Sequence, residues 1–285
     1  MPHIEPVSDL AGARIHGLDL SQPLADADFA AVERALHEHA YVVLPRQTVT
    51  THQFVAFARR WGPPEPHVID TFHHAADANI LVLSNVTHHG RPIGLLDAGT
   101  YFHTDYSYLT VPARCTLLYA IQMPRERSGT TFANQTRAYA DLPIAMKQRI
   151  DGLVVRHHYG NRDDLDSASR TVASVLDTHQ LKKVDWVRHR LVRPHPHTGV
   201  KALYAVSGSS FGIDGVDDRE GVALLDELKA HATQPRYLQT HTHAVGDVIV
   251  WDNAQLLHAA PLTHLDDPRT LWRVTVKEAA PKRPG

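Results

Sequence analysis

The stretch Tyr101-Phe102-His103-Thr104-Asp105-Tyr106-Ser107-Tyr108 is rich in aromatic and β-branched residues and reads as a strand. Residues i and i+2 of a strand share a face, so His103 and Asp105 project together while Phe102 and Thr104 turn away. A neutral imidazole beside a carboxylate suits a divalent metal. Alone the pair decides little, because among 22 histidines about one or two His-x-Asp matches arise by chance.

Towards the C-terminus, Cys115 to Met123 reads as a core strand, and the turn from Pro124 to Gly129 leads to a strand around Thr130-Thr131-Phe132-Ala133. Ala138 to Ile150 has the period of an exposed amphipathic helix, and residues 152–159 return as a strand. Residues 160–185 are polar, lack a clear period and are longer than most connections, so a lid or variable insertion is expected there. Strands near Arg190–Arg193 and Ala202–Val206 flank Pro194-His195-Pro196-His197-Thr198-Gly199, a turn whose two histidines are expected in solvent. Asp218 to Ala232 reads as a helix with Val222, Leu225 and Leu228 on one side, and 246–253 and 270–276 alternate as strands.

Towards the N-terminus, Ala13 to Leu20 reads as a short strand. A helix then carries Phe29, Val32, Leu36 and His39 before the strand Tyr41-Val42-Val43-Leu44. Thr50 with Gln53 forms a capping-box pattern ahead of a helix whose stripe Phe54, Phe57 and Trp61 belongs to a core. Ile80 to Val86 reads as a buried strand. Strands separated by turns dominate, and few helices are long enough to serve as parallel crossovers, so a mainly β antiparallel barrel or jelly roll with flanking helices is expected over a single domain, 1–285.

Hydrophobic content of 43% and charged content of 21% exclude a disordered chain. A formal charge of -2 gives no basic surplus for nucleic acid. The one cysteine, Cys115, cannot form an internal disulfide, and no stretch reaches the apolar length that spans a bilayer. A cytoplasmic protein with no membrane partner is expected, as is a homo-oligomer.

The last strand sets Arg269, Leu271, Arg273 and Thr275 on one face and Thr270, Trp272, Val274 and Val276 on the other. Arg269 and Arg273 then stand roughly 13 Å apart by strand rise, able to serve two anions along one cavity, or else to lie on an outer face in water. His258 precedes them in the apolar setting Leu256-Leu257-His258-Ala259-Ala260. His-x-Asp, a distant histidine and a following arginine together match the 2-His-1-carboxylate arrangement of non-haem Fe(II) oxygenases.

The chain resembles the taurine dioxygenase and 2,4-dichlorophenoxyacetate dioxygenase family of Fe(II)/2-oxoglutarate-dependent oxygenases. The likeness runs through Gly17-Leu18-Asp19-Leu20, Phe57–Gly62, His103-Thr104-Asp105, Gly129-Thr130-Thr131-Phe132, His195-Pro196-His197-Thr198-Gly199 and Trp251-Asp252-Asn253 ahead of His258. It implies a double-stranded β-helix (jelly-roll) core, with Fe(II) on His103, Asp105 and His258. Arg269, helped by the hydroxyl of Thr131, would hold the distal carboxylate of 2-oxoglutarate, and Arg273 would face an anionic substrate group. His67 falls where taurine dioxygenases have a substrate-contacting histidine. Asp70 replaces their tyrosine and Gly99 their asparagine, which puts taurine in doubt and leaves room for a larger molecule. The implied reaction consumes O2 and 2-oxoglutarate, releases succinate and CO2, and hydroxylates a small sulfonate, sulfate ester, aryloxyalkanoate or other carboxylate. Asp105 disfavours halogenation, since halogenating relatives lack that carboxylate. The alternatives are a jelly-roll hydrolase or isomerase using the same metal ligands, or a non-catalytic metal-binding sensor.

Overall fold

Runs such as Ile80-Leu81-Val82-Leu83 and Val248-Ile249-Val250-Trp251 are apolar on both strand faces, which a sheet tolerates only when each face is covered. The computed structural model, described for residues 2–96, 99–124, 128–159, 176–261 and 267–278, shows what covers them. An eight-stranded sheet runs in the order His3–Pro6, Ala13–His16, Tyr41–Leu44, Val248–Asp252, Ala113–Gln122, Thr270–Lys277, Asp77–Ser84, His73–His74. Its pairings are antiparallel except for Ala13–His16 against Tyr41–Leu44.

The pleat sorts this sheet into two cores. Val42, Leu44, Ile80, Cys115, Leu117, Val248, Val250, Val274 and Val276 face the helices Asp26–His39 and Thr51–Trp61, where Phe29, Phe54, Phe57 and Trp61 pack against them. The expected capping box is present, with Thr50 accepting from the backbone of Gln53. The alternate residues Tyr41, Val43, Leu81, Leu83, Leu118, Ile249, Trp251 and Leu271 point the other way, onto Phe132 and Leu256. Those two belong to a second antiparallel sheet, Leu238–Thr242, Gly129–Asn134, Leu256–Ala259. Two sheets face to face, mostly strand with six helices among the described residues, form the jelly-roll core expected from the sequence. No described helix is long and apolar enough to cross a membrane.

Several local expectations are corrected. The opening stretch is not a strand: His103 makes one isolated bridge, to His258, and residues 105–108 form a turn with Tyr106 at φ 54°. The helix expected over 138–150 is two, Gln135–Ala140 and Ile144–Ile150, because Pro143 cannot continue the first and caps the second. On helix Asp218–Ala232 the buried side chains are Leu224, Leu225, Leu228 and Ala232, while Val222 is exposed. Of the expected insertion, 160–175 lies outside the described residues. Within the remainder, Thr178–Leu181 is a short helix capped by Asp177.

Candidate metal and co-substrate site

The site sits between the two sheets, and its first element is the bridge between His103 and His258. Each backbone N–H donates to the other's carbonyl, at 3.0 and 2.9 Å, which sets the two imidazoles beside one another with ring centroids 4.1 Å apart. His103 Nδ1 lies 2.8 Å from the Tyr101 carbonyl. A carbonyl only accepts, so Nδ1 carries the proton and Nε2 presents its lone pair. Two glycines hold this ring. Gly208, at φ 76°, would place a Cβ 2.8 Å from His103 Cβ, and Gly99, also at φ 76°, would place one 2.9 Å from His103 Cε1.

Asp105 reaches the same point from the turn instead of from a pleat. Its Oδ1 lies 3.6 Å from His103 Nε2 and its Oδ2 3.6 Å from His258 Nε2. The carboxylate is fixed by a network: Thr116 Oγ1 donates to Oδ2 at 2.6 Å, Asn253 Nδ2 donates to Thr116 Oγ1 at 3.0 Å, and the Asp105 backbone N–H donates to Asn253 Oδ1 at 3.3 Å. Trp251 Nε1 donates to the same Asn253 oxygen at 3.2 Å. Burial works to raise the Asp105 pKa, but Arg273, then His258 and His103, outweigh it and hold the carboxyl well below its usual range. Burial, then His103, pushes His258 well below the imidazole range, leaving it neutral. Two imidazoles and a carboxylate, their ligand atoms within 4.8 Å of one another, are the donor set a divalent metal needs.

Beside the triad, the pocket wall includes Leu83, Leu118, Thr130, Trp251, Arg269 and Arg273. Arg269 is 6% exposed and its Nε has no hydrogen-bond partner, while burial lowers its pKa to about 10. Its backbone is clamped: the N–H donates to Asn85 Oδ1 at 2.8 Å and the carbonyl accepts from Ser84 Oγ at 2.9 Å. A buried guanidinium with spare donors beside a metal triad fits an anionic co-substrate.

The remaining expected residues divide. Thr131 is on the wrong face of its strand: its hydroxyl meets Thr240 Oγ1 at 2.9 Å on the exposed side, and Thr130 faces the pocket instead. Arg273 faces the pocket but is already engaged, Nη2 donating to Asp105 Oδ1 at 2.7 Å and Nε to Thr275 Oγ1 at 3.1 Å. His67 is buried near it, and burial, then the Arg273 charge, lowers its pKa to about 3. Asp70 is not at the site. It accepts from Lys183 Nζ at 2.8 Å and Gln180 Nε2 at 3.1 Å, tying the segment after residue 175 to the body. Gly99 is at the site, but the space beyond its Cα belongs to the His103 ring and offers a substrate no extra room. Unforeseen are Tyr106, Tyr108 and Tyr159, which surround Arg273 with His67; Tyr108 and Tyr159 meet edge to face at 4.7 Å. The aromatic bias of 101–108 was the only signal for the first two, and Tyr159 had none.

A second group with metal-like spacing, His37, His195 and Asp252, is a different object. His195 is buried, against expectation, and its Nδ1 accepts from the backbone N–H groups of His197 and Thr198 at 3.2 and 3.0 Å. Nε2 therefore carries the proton and donates to Asp252 Oδ2 at 2.7 Å, so the lone pair a metal would need is absent. His197 is exposed, as expected.

Residues 3–275 match the family model described as taurine catabolism dioxygenase TauD, TfdA family. The chain belongs to the TauD/TfdA family. It is 29% identical to the alpha-ketoglutarate-dependent 2,4-dichlorophenoxyacetate dioxygenase of Cupriavidus pinatubonensis, with 96% of this chain and 97% of that protein covered. It is 30% identical to the (S)-phenoxypropionate/alpha-ketoglutarate-dioxygenase of Sphingobium herbicidovorans, over 94% of this chain and 92% of that one. Among solved structures, AAD-2 in complex with Mn(II) and N-oxalylglycine superposes with a TM-score of 0.81 at 28% identity, covering 99% of both chains. This TauD/TfdA member is thus an alpha-ketoglutarate-dependent dioxygenase, an enzyme working with 2-oxoglutarate, O2 and a metal ion. The hydrolase, isomerase and sensor readings are not favoured.

Proposed function

We propose that the metal is Fe(II), held by His103, Asp105 and His258, that Arg269 and Thr130 bind the distal carboxylate of 2-oxoglutarate, and that the substrate is a small organic acid carrying an aromatic group. The observation that carries the reading is the buried Arg269 guanidinium, its Nε unpartnered, in the same pocket wall as the His103 and His258 rings. Iron with O2 and 2-oxoglutarate would supply the oxidising power for hydroxylation, with succinate and CO2 as by-products.

The chain's own residues do the placing. His103, its Nδ1 proton committed to Tyr101, keeps Nε2 as a ligand. Thr116 and Arg273 hold Asp105 ionised and oriented. Arg269 anchors the co-substrate end farthest from the metal, and Leu83, Leu118 and Trp251 keep that wall apolar, which strengthens the ion pair by excluding water. Arg273 keeps a positive charge inside the ring of His67, Tyr106, Tyr108 and Tyr159, with its Cζ 5.8 Å from the Tyr106 ring centroid. Aromatic walls around a cation favour an aryl body with an anionic tail. The phenoxy-acid substrates in the relatives' names point the same way.

The test is substrate-stimulated succinate release with Fe(II) and ascorbate under air. Aryloxyalkanoates and other aromatic acids should stimulate it more than taurine or alkyl sulfonates; stimulation by none of the aromatic acids would refute the substrate class. His103→Ala should abolish metal binding, whereas Arg269→Ala should weaken 2-oxoglutarate and spare the metal. Unchanged 2-oxoglutarate affinity in Arg269→Ala would remove that residue from its role.

A further inference from the structure

We infer that His243 is a positioning residue for 2-oxoglutarate, giving an N–H to the Thr130 hydroxyl so that the hydroxyl's one proton is left to point at the carboxylate held by Arg269. The inference rests on the proposed cradle of Arg269 and Thr130 and adds the group that aims it.

Strand Gly129–Asn134 turns Thr130 inward, and strand Leu238–Thr242 pairs with it, so the residue that follows, His243, arrives behind Thr130. Its backbone N–H donates to Ser128 O at 3.0 Å, and its Nε2 lies 3.0 Å from Thr130 Oγ1. Both residues are buried, at 6% and 3% exposure. The other ring nitrogen, Nδ1, has no hydrogen-bond partner.

That orphan decides the tautomer. A proton on Nδ1 would strand a buried N–H and oblige Thr130 to spend its own proton on Nε2. A proton on Nε2 strands only a lone pair, the cheaper of the two, because buried N–H groups without partners are rarer than under-used acceptors. A doubly protonated ring is excluded, since burial, then the neighbouring His241 and Arg269, push His243 well below the imidazole range. The ring is neutral, with Nε2–H donating to Thr130. A threonine hydroxyl has one proton and two lone pairs. With one lone pair filled by His243, the proton is free for an acceptor in the pocket, where Thr130 and Arg269 share a wall. A carboxylate on Arg269 then gains a second donor already aimed before it arrives.

The experiment measures 2-oxoglutarate binding calorimetrically to the Mn(II)-loaded, full-length protein without O2, together with Mn(II) affinity. Thr130→Val should weaken 2-oxoglutarate about 10- to 100-fold, the range for losing one hydrogen bond to a charged group. His243→Leu, which removes both ring nitrogens, should weaken it about three- to tenfold, and His243→Gln, which restores an N–H donor, should recover most of the loss. The double variant Thr130→Val/His243→Leu should bind no more weakly than Thr130→Val alone, and Mn(II) affinity should hold throughout. Should His243→Leu misfold, His243→Met supplies the arm without a donor. Wild-type affinity in that arm, no recovery with Gln, or losses that multiply in the double variant would each overturn the inference. An Arg269→Leu control separates the two levels: if it binds 2-oxoglutarate normally the cradle itself is wrong, whereas if it is weak and the His243 variants are not, only the role of His243 falls.

Discussion

Among the proposed metal ligands the Thr116 hydroxyl touches only the Asp105 carboxylate, yet it bears on how that carboxylate stands. It sits 2.6 Å from Asp105 Oδ2, and Asn253 holds it from the far side at 3.0 Å. Replacing it with an isosteric apolar group leaves Arg273 as the one side chain that still holds the carboxylate, with Oδ2 short of a hydrogen bond. Thr116→Val is expected to weaken Fe(II) or Mn(II) binding by about 10- to 100-fold, the usual cost of losing a group that orients a ligand; metal titration checks it. Gly208 acts by absence. An added methyl would meet His103 Cβ at 2.8 Å on a backbone at φ 76°, so Gly208→Ala should lower stability by about 1–3 kcal/mol and displace the ring, read by denaturant melts and metal affinity. At this scale His103, Asp105 and His258 were legible as a candidate set from residue type and order along the chain, and Arg269 through the family resemblance. Thr130 was not: choosing between adjacent threonines requires the strand's phase, and a slip of one residue exchanges inside for outside. Asn253 and Thr116 were legible only as motif and strand residues, because what makes them matter is their meeting across the fold.

Strand Thr270–Lys277 shows what an element can disclose. Its alternation assigned two faces correctly, but the sequence left open whether the arginine face met water or a cavity, since that depends on the second sheet. The opposite failure is the stretch 101–108, whose composition suits a strand while its backbone turns to deliver Asp105. Segment 176–185 is tied down by polar contacts from Asp70. Hydrogen bonds from Lys183, then Gln180, lower the Asp70 pKa to about 2. A depressed carboxylate contributes above its ordinary pKa near 4 and loses its hold as the pH falls through about 2. Asp70→Asn copies the protonated form at neutral pH. It should speed amide exchange across 176–185, measured by hydrogen–deuterium exchange, and leave metal affinity unchanged.

Across the whole molecule the site is a junction of remote chain segments: the 99–105 loop, strand Gly129–Asn134, strand Leu256–Ala259 and the start of strand Thr270–Lys277. The jelly roll was legible from the count and spacing of strands. The pairing order, with the last long strand between Asp77–Ser84 and Ala113–Gln122, was not, because register across such separations leaves no local trace. Ligands that bridge these segments bind only the finished fold, and at 100 times the dissociation constant each adds about 2.7 kcal/mol of stability. Thermal melts with Mn(II) and 2-oxoglutarate should rise together and exceed either alone.

The bridge between His103 and His258 also places this enzyme's metal in time. The two backbones that exchange hydrogen bonds there are separated by more than half the chain, and contacts between such distant segments come late in folding. With the proposed ligand set, a nascent polypeptide halted before Leu256 has no third ligand to offer, so the metal cannot template the earlier steps of folding. Metal should therefore act as a latch on the finished protein, slowing unfolding in stopped-flow experiments while leaving the refolding rate unchanged.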